Sequence, residues 1–313
     1  MRLNEFNINN KLVQFPVFVP SISTIKTNYH PLDYLKLLVK IKYPYLLISA
    51  YDICYSFSKL KNELSELLDE ANKNGQIIFL DSGNYEFFWN KFNPWYEDLY
   101  FRKLKKLKVD FSFSFDGKDE QKKEDEKNFK SVLLQEEFAG NSIVVPIMQN
   151  NDGRSLEEVA LSYAKKLNPT ILAIPERILG NGIINRAKAL KKIRDKIDTF
   201  NKEILIHLLG TGNPRSILIY IFAGADCFDG LEWCQTAVEP NSGLLYHFQQ
   251  TDLFLELNNT EVDYTTNTLI NNLNYYNSFI NEIHDSIRDN KFDKILSKYF
   301  KNEFMEKLKA ELN

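Results

Sequence analysis

Cysteine is scarce in this 313-residue sequence, with three widely spaced residues, Cys54, Cys227 and Cys234. An odd, scattered set excludes a disulfide scaffold and fits a reducing compartment. Cys227 and Cys234 have no second thiolate or histidine at metal-ligand spacing, so no metal is expected. Long apolar runs are also missing. The longest, such as Ile217 to Ala225, is about half of a membrane span. The opening MRLNEFNINNK lacks the apolar core of a signal peptide. Neither sign of charge dominates. The 39 Lys plus Arg against 42 Asp plus Glu give −3, which disfavours a polyanion binder acting through bulk charge and leaves nucleic acid only a local basic patch. Low-complexity linkers and sequence repeats are absent as well. With 44% hydrophobic and 26% charged residues, the expectation is a soluble, cytoplasmic, globular protein with no membrane partner.

What is present is an alternation. Short β-branched or aromatic runs end in polar, Gly or Pro punctuation, and stretches of helical periodicity follow. The runs are Phe15–Val19, Tyr45–Ser49, Ile77–Leu80, Phe111–Phe115, Ser142–Ile147, Thr170–Ile174, Ile204–Leu208 and Asp226–Phe228. Between them, Pro31–Lys40 and Pro214–Ala223 each open on a proline suited to a first helical turn. Ser58–Lys73 carries a 3.6-residue apolar stripe, and Ser155 to Glu158 reads as a capping box. Eight strand–helix units in one chain predict an α/β fold, a (β/α)8 barrel over residues 1–248. Residues 249–313 form a C-terminal extension in which Asn267 to Leu312 is helical. Its face of Leu269, Leu273, Tyr276, Phe279, Ile280, Ile283 and Ile287 is suited to packing on the barrel.

A barrel does its chemistry where strands end and βα loops begin. Polar residues cluster there: Asp81-Ser82-Gly83-Asn84-Tyr85, Asp116-Gly117, Gln149-Asn150-Asn151, Pro175-Glu176-Arg177, His207 to Gly212, and Asp229-Gly230. Each alone is compatible with a turn or a helix cap. Several carboxylates at one mouth, however, push their pKa values apart, which suits displacement at a sugar carbon. Gly210-Thr211-Gly212 could cradle a phosphate but lacks a recognised phosphate-loop context. The basic run Arg102 to Lys108 reads as a solvated helix face or a phosphate-contacting one, and Lys118 to Lys130 mixes both signs.

Taken in order, these motifs resemble the tRNA-guanine transglycosylase superfamily, whose members exchange a guanine in nucleic acid for a 7-deazaguanine. The resemblance spans nearly the whole chain. Pro16 to Thr27 is similar to the family's opening strand, and Leu47 to Tyr51 sits at its Asn-Thr-Tyr. Asp81 to Glu86 resembles Asp-Ser-Gly-Gly-Phe/Tyr-Gln. His207 to Asp229 follows Gly-x-Gly-x-Pro…Gly-x-Asp-x-Phe-Asp, and Asn272 to Phe292 is similar to the closing helices. The resemblance implies Asp229 as the nucleophile that attacks C1′ and Asp81 as the general acid/base. It implies base-binding roles for Asp116, Gln149, Ser82, Gly83 and Glu176, with Tyr85 and Leu209 sandwiching the purine. It implies no cofactor.

The departures are informative. The tRNA enzymes hold zinc through Cys-x-Cys-x-x-Cys and a later His. Those cysteines are absent here and the His position reads Asn271, so the zinc subdomain is lost. Their Pro-Thr-Arg-x-x-Arg is replaced by Glu232-Trp233-Cys234-Gln235-Thr236-Ala237, and their Gly-Gly after strand six by Pro175-Glu176. This combination resembles the DNA-acting branch, the DNA 7-deazaguanine transglycosylases, and implies a substrate such as 7-cyano-7-deazaguanine. Trp233 and Gln235 are candidate nucleic-acid contacts, Trp233 either stacking on a base or packing in the core. The alternatives are a diverged tRNA transglycosylase, a non-catalytic subunit binding nucleic acid or a partner enzyme, and a small-nucleoside hydrolase. The charge of −3 is compatible with a partner protein that aids DNA binding.

Overall fold

The structure, a computed structural model, describes residues 2–57, 60–116, 125–149, 153–256 and 262–312. Ser58, Gly117, Lys118 to Glu124, Asn150 and Asn151 lie outside the described residues. A hairpin comes first, β1 (Asn4–Ile8) and antiparallel β2 (Lys11–Phe15). Eight parallel strands follow: β3 (Val17–Ile22), β4 (Tyr45–Ser49), β5 (Ile77–Asp81), β6 (Phe111–Phe113), β7 (Ile143–Val145), β8 (Ile171–Pro175), β9 (Leu205–Leu209) and β10 (Cys227–Gly230). Their order is β7-β6-β5-β4-β3-β10-β9-β8. The outer two are joined by a parallel bridge from Ile147 to Ala173: the Ala173 N–H donates to Pro146 O at 2.9 Å and the Met148 N–H to Ala173 O at 2.8 Å. This is the (β/α)8 barrel expected from the alternation, with a helical C-terminal part.

Strand boundaries differ from the sequence reading in two instructive ways. Phe15 belongs to the hairpin, because Pro16 has no N–H for the ladder and the chain changes partner there. The hairpin turn is Asn9-Asn10, both at positive φ (50° and 63°), a conformation asparagine tolerates. At the other end, β5, β8, β9 and β10 run on into Asp81, Pro175, Leu209 and Gly230. Residues that read as turn formers here pair in register, as Ser49 with Asp81 and Pro175 with Leu209.

Side chains alternate across each strand. Val17, Val19, Leu47, Ile77, Phe79, Phe111, Phe113, Ile171, Ala173, Leu205 and Cys227 fill the barrel interior. Ile8, Val13 and Phe15 of the hairpin join that cluster and plug the end where the strands begin. There Lys11 Nζ binds Asp110 Oδ2 and Gln76 O, both at 2.7 Å. One end is thus closed by hydrophobic burial, and the C-terminal ends of the strands are left for chemistry.

The opposite parity (Phe18, Leu46, Ile48, Ile78, Leu80, Leu172, Ile206 and Phe228) meets the surrounding helices in a second core. Helices Pro31–Lys40 and Pro214–Ala223 have the expected bounds, and Ser155 accepts from the Glu158 N–H to open Leu156–Leu167. After β10 comes a hairpin the sequence did not announce, β11 (Thr236–Val238) with β12 (Leu245–His247). The C-terminal part is three helices, Tyr264–Arg288, Phe292–Tyr299 and Asn302–Leu312. Leu269, Leu273, Tyr276, Phe279, Ile280 and Ile283 are buried. Tyr276 stacks on Phe18 at 4.1 Å between centroids and donates to Gly212 O at 2.6 Å. Among the described residues, no helix is long and apolar enough to cross a membrane.

Candidate functional site

Asp229 lies on β10 two residues beyond Cys227, so strand parity turns its carboxylate inward. It is 8% exposed and held by three partners. Oδ1 faces His207 Nε2 at 2.9 Å and accepts the Gly210 N–H at 3.2 Å, while Oδ2 accepts Ser21 Oγ at 3.0 Å. These partners come from β9, the β9 loop and β3, the two neighbours of β10 in the barrel. His207 is fully buried against Phe113 and Phe79, and among the described residues its Nδ1 has no hydrogen-bond partner. The Nε2–Oδ1 contact ties the imidazole to the carboxylate across two adjacent strands.

Asp81 shares the inward parity of Ile77 and Phe79 on β5. Its Oδ2 accepts the Gly83 N–H at 2.8 Å. Burial, and then the charges of Asp116 and Asp229, push its pKa up to about 7. Gly83 is required on two counts. It sits at φ +83°, and a Cβ there would meet Tyr51 Cβ and Tyr51 N at 2.6 Å. This turn aims Ser82 and Asn84 at the next loop, where both donate to Asp116 Oδ1, at 2.8 and 2.7 Å. The Asp81 and Asp116 loops are thereby locked together, and Trp95 Nε1 donating to Ser82 O at 2.9 Å anchors them from behind.

More acid stands around this pair. Glu86 is buried, receives Ser23 Oγ at 2.5 Å and Ser49 Oγ at 2.8 Å, and is pushed up to about 8 by burial and by Asp52 and Asp81. Asp52, fully buried, accepts from Thr24 and Ser56 and is raised by burial. Glu232 seats its carboxyl against Gly212 and Gly230, where a Cβ on either glycine would overlap it. Burial raises it to about 7, with backbone donors opposing and Asp229 and Glu176 adding to the rise.

The remaining predicted residues divide. Tyr85 is 42% exposed and Leu209 half-buried at the end of β9, so each has a surface to offer. Gln149, half-buried, receives Asn128 Nδ2 on Oε1 at 3.3 Å. Glu176 is clamped from the helix side, where its Oε1 takes Tyr220 Oη at 2.6 Å and Arg186 Nη1 at 2.9 Å. Trp233 is corrected: it is fully buried, donates to Ser21 O at 2.9 Å and meets Tyr34 edge-on at 5.4 Å, so it is a core residue with no face for a base. Gln235 binds Lys26 O at 3.0 Å.

Ser21, Asn84, Glu86, His207 and Glu232 have no individual role in the reading from sequence. Inward parity along β3 and β9 would have found Ser21 and His207. Glu232 had no such signal, because its seat exists only where two loops meet. A separate hollow of about 270 Å³ lies between helices Pro31–Lys40 and Tyr264–Arg288, lined by Tyr29, Asp33, Leu37 and Thr266. It holds one carboxylate and sits on the outer ring, away from the acid cluster. No protein-family model matches the chain, and no curated protein shows detectable similarity to it.

Proposed function

We propose that this protein is a base-exchange transglycosylase that replaces guanine in DNA with a 7-deazaguanine such as 7-cyano-7-deazaguanine. The observation that carries the reading is the contrast between the two inward carboxylates. Asp229 is held by Ser21, His207 and Gly210, while burial, and then the charges of Asp116 and Asp229, push Asp81 up to about 7. Two inward carboxyl groups in such different surroundings suit the nucleophile and the proton carrier that a double displacement at a sugar carbon needs.

In the first half, an Asp229 oxygen attacks C1′ of the target nucleotide. The C1′–N9 electron pair leaves with guanine, which takes the proton carried by Asp81, and a sugar–aspartyl ester remains. In the second half, the incoming base gives its N9 proton to the Asp81 carboxylate and attacks C1′, and Asp229 leaves as a carboxylate. Two inversions return the original configuration. His207, Gly210 and Ser21 hold the nucleophile in line and take up its charge again when it leaves. Asp116 and Gln149 suit the hydrogen-bonding edge of a purine, and Tyr85 and Leu209 its faces. A base in a duplex has to be extruded or unpaired to reach the mouth.

The test is incorporation of radiolabelled guanine into duplex DNA, single-stranded DNA and bulk tRNA, with the Asp229→Ala variant beside the parent protein. Label in DNA that disappears with Asp229→Ala supports the reading. Label in tRNA alone moves the substrate to tRNA, and label with Asp229→Ala retained removes the mechanism.

A further inference from the structure

From Phe87 to Tyr96, directly after the Asp81 turn, Phe87 and Trp95 pack inward while four other aromatic side chains are exposed. Phe92 is 91% exposed, and Phe88, Trp89 and Tyr96 about half. Large apolar side chains grouped on a surface mark a contact. Most of the chain's 23 phenylalanines and 16 tyrosines find places in or against the cores, so these side chains are not driven outward by a lack of core. Its local geometry displays it. Helix Asn84–Asn90 ends at Lys91 in the left-handed region (φ +47°), which turns the chain and projects Phe92.

Cations accompany the rings. Lys26 Nζ lies 4.4 Å from the Trp89 ring centroid and Lys91 Nζ 5.4 Å from that of Phe88. Phe88 and Trp89 meet edge to face at 5.5 Å. Trp89 lies four residues after Tyr85 on the same helix, so the surface is continuous with the residue suited to sandwiching the purine. The mouth itself is lined by Asp81, Asp116, Asp229 and Glu232 and repels phosphate. A strand delivering its base there needs attraction beside the acids, and a chain of net charge −3 does not supply it in bulk.

We infer that the Phe88–Trp89–Phe92–Tyr96 surface, with Lys26 and Lys91, is a stacking platform for the unpaired nucleotides that flank the target base. Rings that present π-faces beside lysines match bases and phosphates in alternation, whereas an apolar peptide would gain nothing from the ammonium groups. The inference rests on the nucleic-acid substrate proposed above and adds where the strand lies.

Fluorescein-labelled oligo(dT) separates the two readings, since it contains no guanine to exchange. The full-length protein is expected to bind it at low salt, and Trp89→Ala and Phe92→Ala each to weaken binding about tenfold. Lys26→Gln is expected to lower the slope of log affinity against log salt by about 0.7. Asp229→Ala should bind oligo(dT) at least as tightly as the parent, and a parent protein that binds oligo(dT) but exchanges no guanine would retire the chemistry and leave the platform. The platform is overturned if the parent does not bind oligo(dT), or if the aromatic variants bind it equally well. It is also overturned if sedimentation shows a dimer that Trp89→Ala dissolves, which would make this a self-association surface.

Discussion

His207 Nε2 stands 2.9 Å from Asp229 Oδ1, deep in the barrel, and among the described residues the other ring nitrogen has no hydrogen-bond partner. The pair joins adjacent strands, β9 and β10, and fixes the carboxylate from below. The ring reaches Asp229 from between Phe79 and Phe113, which fix its orientation. It is a positioning residue for the proposed nucleophile.

His207→Phe removes that contact and keeps the ring volume roughly filled. Guanine exchange is expected to fall about 100-fold in kcat with little change in KM, because a displaced reacting atom loses alignment. His207→Gln, which can still donate, should lose less. Steady-state incorporation of labelled base measures both. Unchanged kcat in His207→Phe would show that Ser21 and Gly210 suffice.

Asp81 carries its proton up to about pH 7 instead of the ordinary 3.8. Release of guanine uses the protonated form and attack by the incoming base uses the ionised one. Exchange should therefore fall on both sides of about pH 7, losing proton donation above it and proton acceptance below it. Asp81→Asn should flatten this profile and lower the rate about 100- to 10,000-fold. A profile that Asp81→Asn leaves in place would assign the titration to another group.

Glu86 gives a stability signature. Its pKa is about 8 in the folded protein against an ordinary 4.5. Between those values the folded chain holds a proton that the unfolded chain has lost, so stability falls as pH rises, by up to about 1.4 kcal/mol per pH unit. The contribution is retained in full below the lower value. Glu86→Gln, an amide with the same reach to Ser23 and Ser49, should gain in Tm relative to the parent at about pH 8 compared with about pH 5. An equal Tm difference at both pH values would mean that Glu86 is ionised in the fold.

Gly212 and Gly230 leave room for the Glu232 carboxyl. Gly212→Ala is expected to cost about 1–3 kcal/mol by overpacking. Adding Glu232→Ala should recover most of that, since it removes the two atoms that the methyl meets most closely, Glu232 Oε2 and Cδ. Urea unfolding of the single and double variants measures the coupling. A Gly212→Ala protein as stable as the parent would show that Glu232 has another seat.

The strand runs, the proline-started helices and the apolar face from Leu269 to Ile283 specify the architecture from sequence. Periods of 2 and 3.6 residues are local properties, and eight units leave few ways to bury every apolar face. The strand-end positions of Asp81, Asp116 and Asp229 were legible for the same reason. Sequence did not distinguish Trp233 as core from Trp233 as surface, because one tryptophan suits either until its neighbours are known. Nor did it join Ser21 to Asp229, 208 positions apart, or seat Glu232 between two glycines. Those relations depend on β10 closing against β3 and on loops converging at one mouth. Only the tertiary structure decides them, because hydrogen bonds, burial and charge act over a few ångströms of space whatever the separation along the chain.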